Sequence, residues 1–192
     1  MIQIGITGGI ACGKSTVLKQ IQSMGHNVFS CDDAFKAIFE TDVVQNWLQE
    51  QIILRKGEDG WKEYQSVGKT LIKYLMLSDA IFKKDYEALV HPLVRLKMLE
   101  SNASVAEVPL LFETGAESCF EKIWVIACNP ETQITRLMNR FSCDREYALA
   151  WINNQMSLRD KISRATRVIY TDDSEKSVKE LVKLALLEDL IL

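Results

Sequence analysis

The sequence predicts an α/β fold built on a five-stranded parallel sheet, and three observations carry that expectation. The apolar run Ile2-Gln3-Ile4-Gly5-Ile6 leads into a glycine-rich turn and then into an amphipathic helical pattern. Strand-like and helical patterns continue to alternate at both ends of the chain, which implies parallel strands joined by right-handed crossovers. Lys122 to Cys128 is a near-continuous apolar run, the pattern of a strand covered on both faces.

The first strand, Met1 to Ile6, feeds a helix from Lys14 to about Met24, which Gly25 ends. His26 to Cys31 reads as the second strand, stopped by Asp32-Asp33. Beyond it Phe35, Ile38 and Phe39, then Leu71, Leu75, Ile81 and Phe82, then Leu89, Leu93, Leu96 and Leu99 recur at helical spacing. That pattern predicts a helical insertion over residues 33–100, with a polar loop at Arg55 to Gly60 and an ambiguous Ile52-Ile53-Leu54. Ala103 to Val108 is the third strand, broken by Pro109, and Lys122 to Cys128 is the fourth. Pro130 suits the first turn of a helix that carries Arg136 and Arg140. Phe141 to Thr166 reads as helical and basic, with too few apolar positions to pack deeply. Arg167 to Tyr170 is a short fifth strand, and Ser174 caps a last helix running to Leu190. One domain over residues 1–192 is the expected organisation, with a lid at 140–166.

The turn after the first strand, Gly8-Gly9-Ile10-Ala11-Cys12-Gly13-Lys14-Ser15, has the spacing G-x-x-x-x-G-K-[ST] of a phosphate-binding loop. Gly8 and Gly13 let the backbone curl so that successive N–H groups converge on phosphate oxygens. Lys14 supplies a mobile positive charge for the β- and γ-phosphates, and Ser15 a hydroxyl for Mg²⁺. With Thr16 in its first turn, the following helix adds unpaired N–H groups and the positive end of its dipole. ATP with Mg²⁺ is the ligand this arrangement anticipates.

Composition narrows the alternatives. There are 23 Lys and Arg against 26 Asp and Glu, a net charge of −3, so no global basic field points to nucleic acid. Five scattered cysteines without C-x-x-C spacing, and only His26 and His91, leave a zinc site short of ligands. Scattered thiols and the lack of a charged-then-apolar leader before the first strand lead to the expectation of a cytoplasmic protein. No apolar stretch approaches the roughly 20 residues of a membrane span.

Other residues carry two readings each. Asp32, at the carboxyl end of the second strand, can orient or deprotonate an attacking hydroxyl, or it can cap the next helix, a task for which Asp33 is the better placed. Glu107, ending the third strand, either holds the hydration shell of a magnesium ion or is an ordinary strand-end carboxylate, and Glu113 can face the same edge. The basic segment from Arg136 to Arg164, with Arg145, Arg159, Lys161 and Arg164, suits a lid that neutralises a transferring phosphoryl group, although charged helices are also solvated faces. Arg136 and Arg140 are the stronger functional pair. His91, beside Pro92, reads from the residues alone as an interior imidazole more readily than as a ligand contact. The four tryptophans and five cysteines read as packing residues.

The chain also resembles the dephospho-coenzyme A kinase family along its whole length. The matching segments are Gly5 to Ile10 with Gly13-Lys14-Ser15-Thr16, Val28 to Asp32, Leu89-Val90-His91-Pro92-Leu93-Val94 and Val108-Pro109-Leu110-Leu111-Phe112-Glu113-Thr114-Gly115. They continue through Cys128 to Gln133, Arg136 to Arg140, and Gln155 with Lys161 and Ala165. The resemblance implies transfer of the γ-phosphate of ATP to the ribose 3′-hydroxyl of dephospho-coenzyme A. It also implies a nucleoside-monophosphate-kinase-like sheet, a helical acceptor domain and a lid. On it Asp32 aligns with a catalytic aspartate, His91 with the acceptor pocket and Arg140 with the lid arginine. Three departures stand out. Ser30-Cys31-Asp32 replaces a usual Asp-Ala-Asp, Lys69 stands where an arginine of the acceptor region is usual, and Thr171-Asp172-Asp173 follows the last strand in place of Asn-x-Gly. A nucleoside or nucleotide kinase of the same architecture is the alternative within enzymes; a regulatory ATPase that hydrolyses nucleotide without an acceptor is the alternative outside small-molecule transfer.

Overall fold

A computed structural model describes residues Met1–Leu190. In chain order the elements are β1 (Ile2–Gly8), α1 (Lys14–Ser23), β2 (Val28–Ser30), α2 (Cys31–Phe39), α3 (Asp42–Val67), α4 (Lys69–Ser78) and α5 (Ala80–Glu100). They continue with β3 (Val105–Glu107), β4 (Phe120–Ala127), α6 (Pro130–Phe141), α7 (Arg145–Asn153), α8 (Leu158–Ser163), β5 (Arg167–Tyr170) and α9 (Glu175–Leu190). The chain divides into two compact units, Met1–Cys31 with Met98–Leu192, and Asp32–Lys97.

The first unit holds an all-parallel sheet in the order β2-β3-β1-β4-β5. Its central strands β1 and β4 are almost wholly buried, as strands covered on both faces must be. On one face Ile4, Ile6, Val105, Trp124 and Ile126 pack with Val17 and Ile21 of α1 and Val178, Val182 and Leu186 of α9. On the other, Ala106, Val125, Phe120 and Ile123 pack with Leu111, Phe112 and Met98. The chain order of the sheet reverses between β1 and β3, so the loop after β1 and the end of β3 lie side by side at the carboxyl edge, where open α/β sheets bind ligands.

α9 is tied to this sheet by two carboxylates near its end, Glu188 meeting Arg167 Nη2 at 2.7 Å and Asp189 meeting three donors. Asp189, 12 % exposed at its side chain, accepts from Arg167 Nε (2.7 Å), Trp124 Nε1 (2.8 Å) and Lys122 Nζ (3.1 Å). Burial works to raise its pKa, but the hydrogen bonds from Arg167, Lys122 and Trp124 outweigh burial and hold it at about 2. An unfolded Asp titrates at about 3.9, so this contribution is present above that pH and is lost as pH falls through about 2. Asp189→Asn is therefore expected to cost about 2 kcal/mol in urea unfolding at pH 7, with little of that difference left at pH 2. A difference of the same size at both pH values would contradict the assignment.

The second unit is helical. Ile38, Phe39, Val44, Leu48, Ile52, Leu71, Leu75, Phe82, Tyr86 and Val90 form its core, with Phe82 stacked on Tyr86 at 6.0 Å between centroids. Ile52-Ile53-Leu54 belongs to α3, which corrects the strand alternative. So does the segment Arg55 to Gly60, expected as a loop: the backbone breaks only at Gly57 (φ 69°, ψ −172°) and helix resumes directly. Two of its charges pair locally, Lys56 with Glu63 and Asp59 with Lys62, both at 2.9 Å, while Arg55 reaches Asp79 at 2.8 Å. Of the apolar stripe, Phe82 is buried, but Ile81, Leu96 and Leu99 are exposed.

Candidate active site

The phosphate loop is shaped by residues that tolerate left-handed backbone. Gly8 (φ 147°) ends β1 so close to β4 that a Cβ would stand 2.1 Å from the Ile126 carbonyl oxygen; Gly13 has φ 91°. Between them Ala11 adopts φ 59°, a conformation that costs a non-glycine residue about 1 kcal/mol or more and persists only where its surroundings impose it. Those surroundings are hydrogen bonds to the carbonyls on either side. Gln133 Nε2, from α6, donates to Ile10 O (2.9 Å), and Thr171 Oγ1, from the residue after β5, donates to Cys12 O (2.8 Å). The Cys12 N–H bonds Gly9 O (3.2 Å), closing the turn.

Lys14 opens α1, and its Nζ donates to Gly9 O (2.9 Å) and Gly8 O (3.3 Å), folding the ammonium back over the loop. Ser15 Oγ donates to Glu107 Oε1 at 3.3 Å. Glu107, only 3 % exposed, reaches this position because β3 pairs with β1 in a register that sets it opposite Ile6. A hydroxyl and a buried carboxylate side by side are an all-oxygen pair of the kind Mg²⁺ uses with phosphate and water. No cluster of three or more His, Cys, Asp and Glu suited to a metal occurs among the described residues.

Ser30 pairs with Glu107, and Asp32 follows two residues beyond, exposed in the first turn of α2. Because α2 begins at Cys31, neither Asp32 nor Asp33 is the cap of a helix starting near Ala34. Asp33 is drawn to Lys36 at 2.8 Å instead. In the helical unit Lys69, the first residue of α4, pairs with Glu40 (3.2 Å) and lies over the Phe39 ring (4.2 Å). His91 is exposed on α5, which corrects the interior reading made from the residues alone.

The basic segment is less uniform than its composition implies. Arg145 is held bidentately by Glu131 (2.6 and 2.7 Å), and Arg164 pairs with Glu117 while covering the Phe112 ring. Arg140 is exposed at the end of α6, its guanidinium 5.3 Å from the Phe141 ring. Arg136 points its two terminal nitrogens at Thr171, Nη1 to Oγ1 (2.9 Å) and Nη2 to the carbonyl oxygen (2.5 Å). Lys161 is the departure from expectation: it is 0 % exposed, 2.8 Å from Glu113 Oε1, and donates to Pro109 O (3.3 Å). The same Glu113 oxygen accepts the Met156 N–H (3.2 Å), so Glu113 fixes the chain entering α8.

The thiols Cys12 and Cys128 are both buried, with sulfurs 3.4 Å apart. Their hydrogen bond pulls the Cys12 thiol below its usual pKa, mainly because Cys128 donates to it; the Cys128 thiol is pushed up by that bond and then by burial.

Gln133 and Thr171, which pattern reasoning left without a role, brace the phosphate loop, and Lys161, read only as part of the basic segment, is a buried partner of Glu113. Each acts across a separation of 48 residues or more, so no local spacing marks it.

Residues 2–177 match the family model described as dephospho-CoA kinase. A dephospho-CoA kinase of Listeria monocytogenes is 32% identical over 93% of this chain and 92% of its own length. One of Trichormus variabilis is 31% identical over 95% of each. Among solved structures, a Thermus thermophilus protein superposes with a TM-score of 0.72 at 29% identity, covering 97% of both chains. A shikimate kinase of Acinetobacter baumannii, at TM-score 0.56 and 15% identity over 99% of this chain and 93% of its own, shares the fold alone. The parallel sheet, its phosphate loop and these matches place the chain in the dephospho-CoA kinase family.

Proposed function

We propose that the protein is an ATP-dependent kinase that phosphorylates the ribose 3′-hydroxyl of dephospho-coenzyme A, giving coenzyme A. The observation that carries this reading is the family match over residues 2–177, which includes the phosphate loop. The backbone N–H groups from Gly8 to Thr16 bind the phosphates, and Lys14 swings from its carbonyl partners to the β/γ bridge. Ser15 and Glu107 are the residues that would hold Mg²⁺, whose charge would offset that on the phosphate oxygens.

Asp32 accepts the proton of the acceptor hydroxyl and orients its oxygen for in-line attack. Lys69, His91 and Glu113 bind the acceptor, Glu113 also fixing the chain that enters α8. Arg140, on the lid of residues 140–166, meets the charge that spreads over the transferring group. No helix among the described residues is long and apolar enough to cross a membrane. The cytoplasm, where ATP and dephospho-coenzyme A are both available, is the proposed setting.

An acceptor panel tests the assignment. With Mg²⁺ and labelled ATP, transfer to dephospho-coenzyme A is expected to exceed transfer to adenosine, AMP or shikimate by at least about 100-fold in kcat/KM, since a site built to hydrogen-bond its substrate strongly rejects analogues lacking those groups. Preferential labelling of a nucleoside or nucleotide would move the assignment to that class of kinase. Hydrolysis of equal rate with and without every acceptor would make the protein an ATPase.

A further inference from the structure

We infer that the Thr171 hydroxyl is a positioning group for ATP, acting by clamping the phosphate loop from the far side of the sheet edge. Thr171 is 6 % exposed, and its own backbone N–H bonds Ala127 O (2.9 Å), which fixes the residue against the end of β4. Its hydroxyl has one hydrogen to give. The acceptor at the shorter distance is Cys12 O (2.8 Å), with Ala127 O at 3.4 Å, while Arg136 Nη1 donates to the hydroxyl oxygen from α6 (2.9 Å). Arg136 Nη2 holds the Thr171 carbonyl as well, so the hydroxyl is aimed rather than free to rotate.

The consequence follows from peptide geometry. Cys12 C=O and Gly13 N–H belong to one planar trans unit, in which carbonyl and N–H point in opposite directions. Anchoring the carbonyl on Thr171 therefore directs the Gly13 N–H to the opposite side of the loop, and Gly13 is the last residue before α1, where anion-binding N–H groups collect. The neighbouring clamp of Gln133 on Ile10 O acts on the other side of Ala11, and the left-handed Ala11 is held between the two. Relaxation of either clamp lets Ala11 escape its unfavourable conformation, and the N–H groups then no longer stand preorganised for phosphate.

The inference rests on the reading of this loop as the ATP site, and its test is direct binding, which needs no acceptor. Thr171→Val keeps the shape and removes the hydroxyl; Thr171→Ser keeps the hydroxyl and removes the methyl. Titration of a non-hydrolysable ATP analogue with Mg²⁺ is expected to give about tenfold weaker binding for Thr171→Val, consistent with loss of one buried hydrogen bond and an orphaned carbonyl, and binding within about threefold of the parent for Thr171→Ser. In turnover the Val variant should raise KM for ATP and leave KM for dephospho-coenzyme A within about twofold. Unchanged analogue binding by Thr171→Val, or equal weakening in Thr171→Ser, would overturn the inference. If the Val variant does not fold, Thr171→Ala is compared with Thr171→Ser on the same criteria. Failure of the parent protein to bind the analogue would instead overturn the reading of the loop, and failure to label dephospho-coenzyme A with binding intact would overturn only the acceptor.

Discussion

Asp32→Asn is expected to lower kcat for dephospho-coenzyme A by about 10³-fold, within the 10²- to 10⁴-fold range of general-base removal, while ATP binding stays within about threefold of the parent. The amide matches the carboxylate in shape and can still touch a hydroxyl, but it cannot take the proton. Asp32 is exposed in the first turn of α2 and lies outside both hydrophobic cores of the sheet and that of the helical unit, so the substitution disturbs little packing. It removes one negative charge from a helix N-terminus, worth about 0.3–1 kcal/mol, too little to unfold the protein. The chain has Ser30 where the family resemblance leads one to expect a second carboxylate, so no acidic residue stands two positions before Asp32 to substitute for it. Measured single-turnover phosphoryl transfer within tenfold of the parent would exclude Asp32 as the base.

Residues with a local job were readable from the sequence. Gly8, Gly13, Lys14 and Ser15 follow the spacing that the curl of one loop demands, and the apolar run ending at Cys128 has the pattern of a strand buried on both faces, so both are legible as local patterns even though Gly8 also needs room beside Ile126. The parallel sheet followed from the alternation of elements for the same reason. What escaped was set by tertiary adjacency. The polar, glycine-bearing composition of Arg55 to Gly60 suggested a loop, whereas the segment is helical on either side of Gly57, with Lys56 paired to Glu63 and Arg55 to Asp79. Thr171 and Gln133 reach the phosphate loop because β4 lies next to β1 in the sheet and β5 next to β4, and a threonine or glutamine carries no signal of such a role. The segment Phe141 to Thr166 looked too polar to pack deeply, yet it buries Ala148 and Lys161, the latter because Glu113 and the Pro109 carbonyl wait for its ammonium.

That buried lysine leads to the largest stability effect expected here. Lys161→Met replaces the stem with an apolar chain of similar length, but it strands Glu113, whose side chain is only 22 % exposed and whose Oε1 receives Lys161 at 2.8 Å. Breaking one side of such a pair costs about 3–5 kcal/mol, because the remaining charge keeps its desolvation without its partner; the partial exposure of Glu113 places this case near the lower end, about 3 kcal/mol. The double variant Lys161→Met with Glu113→Gln removes both charges and should be more stable than Lys161→Met alone, with a coupling of at least about 1 kcal/mol in a double-mutant cycle read by urea unfolding. Additive losses would mean that the two groups do not depend on one another. Glu113→Gln alone leaves the ammonium buried, and its Met156 contact weakens with the loss of the charged acceptor, so the chain entering α8 loosens in that variant too. The double variant should therefore regain stability without regaining full turnover. A neutral pair can refill the space that Lys161 and Glu113 occupy, but it does not restore the charged acceptor that holds Met156 and with it the chain entering α8.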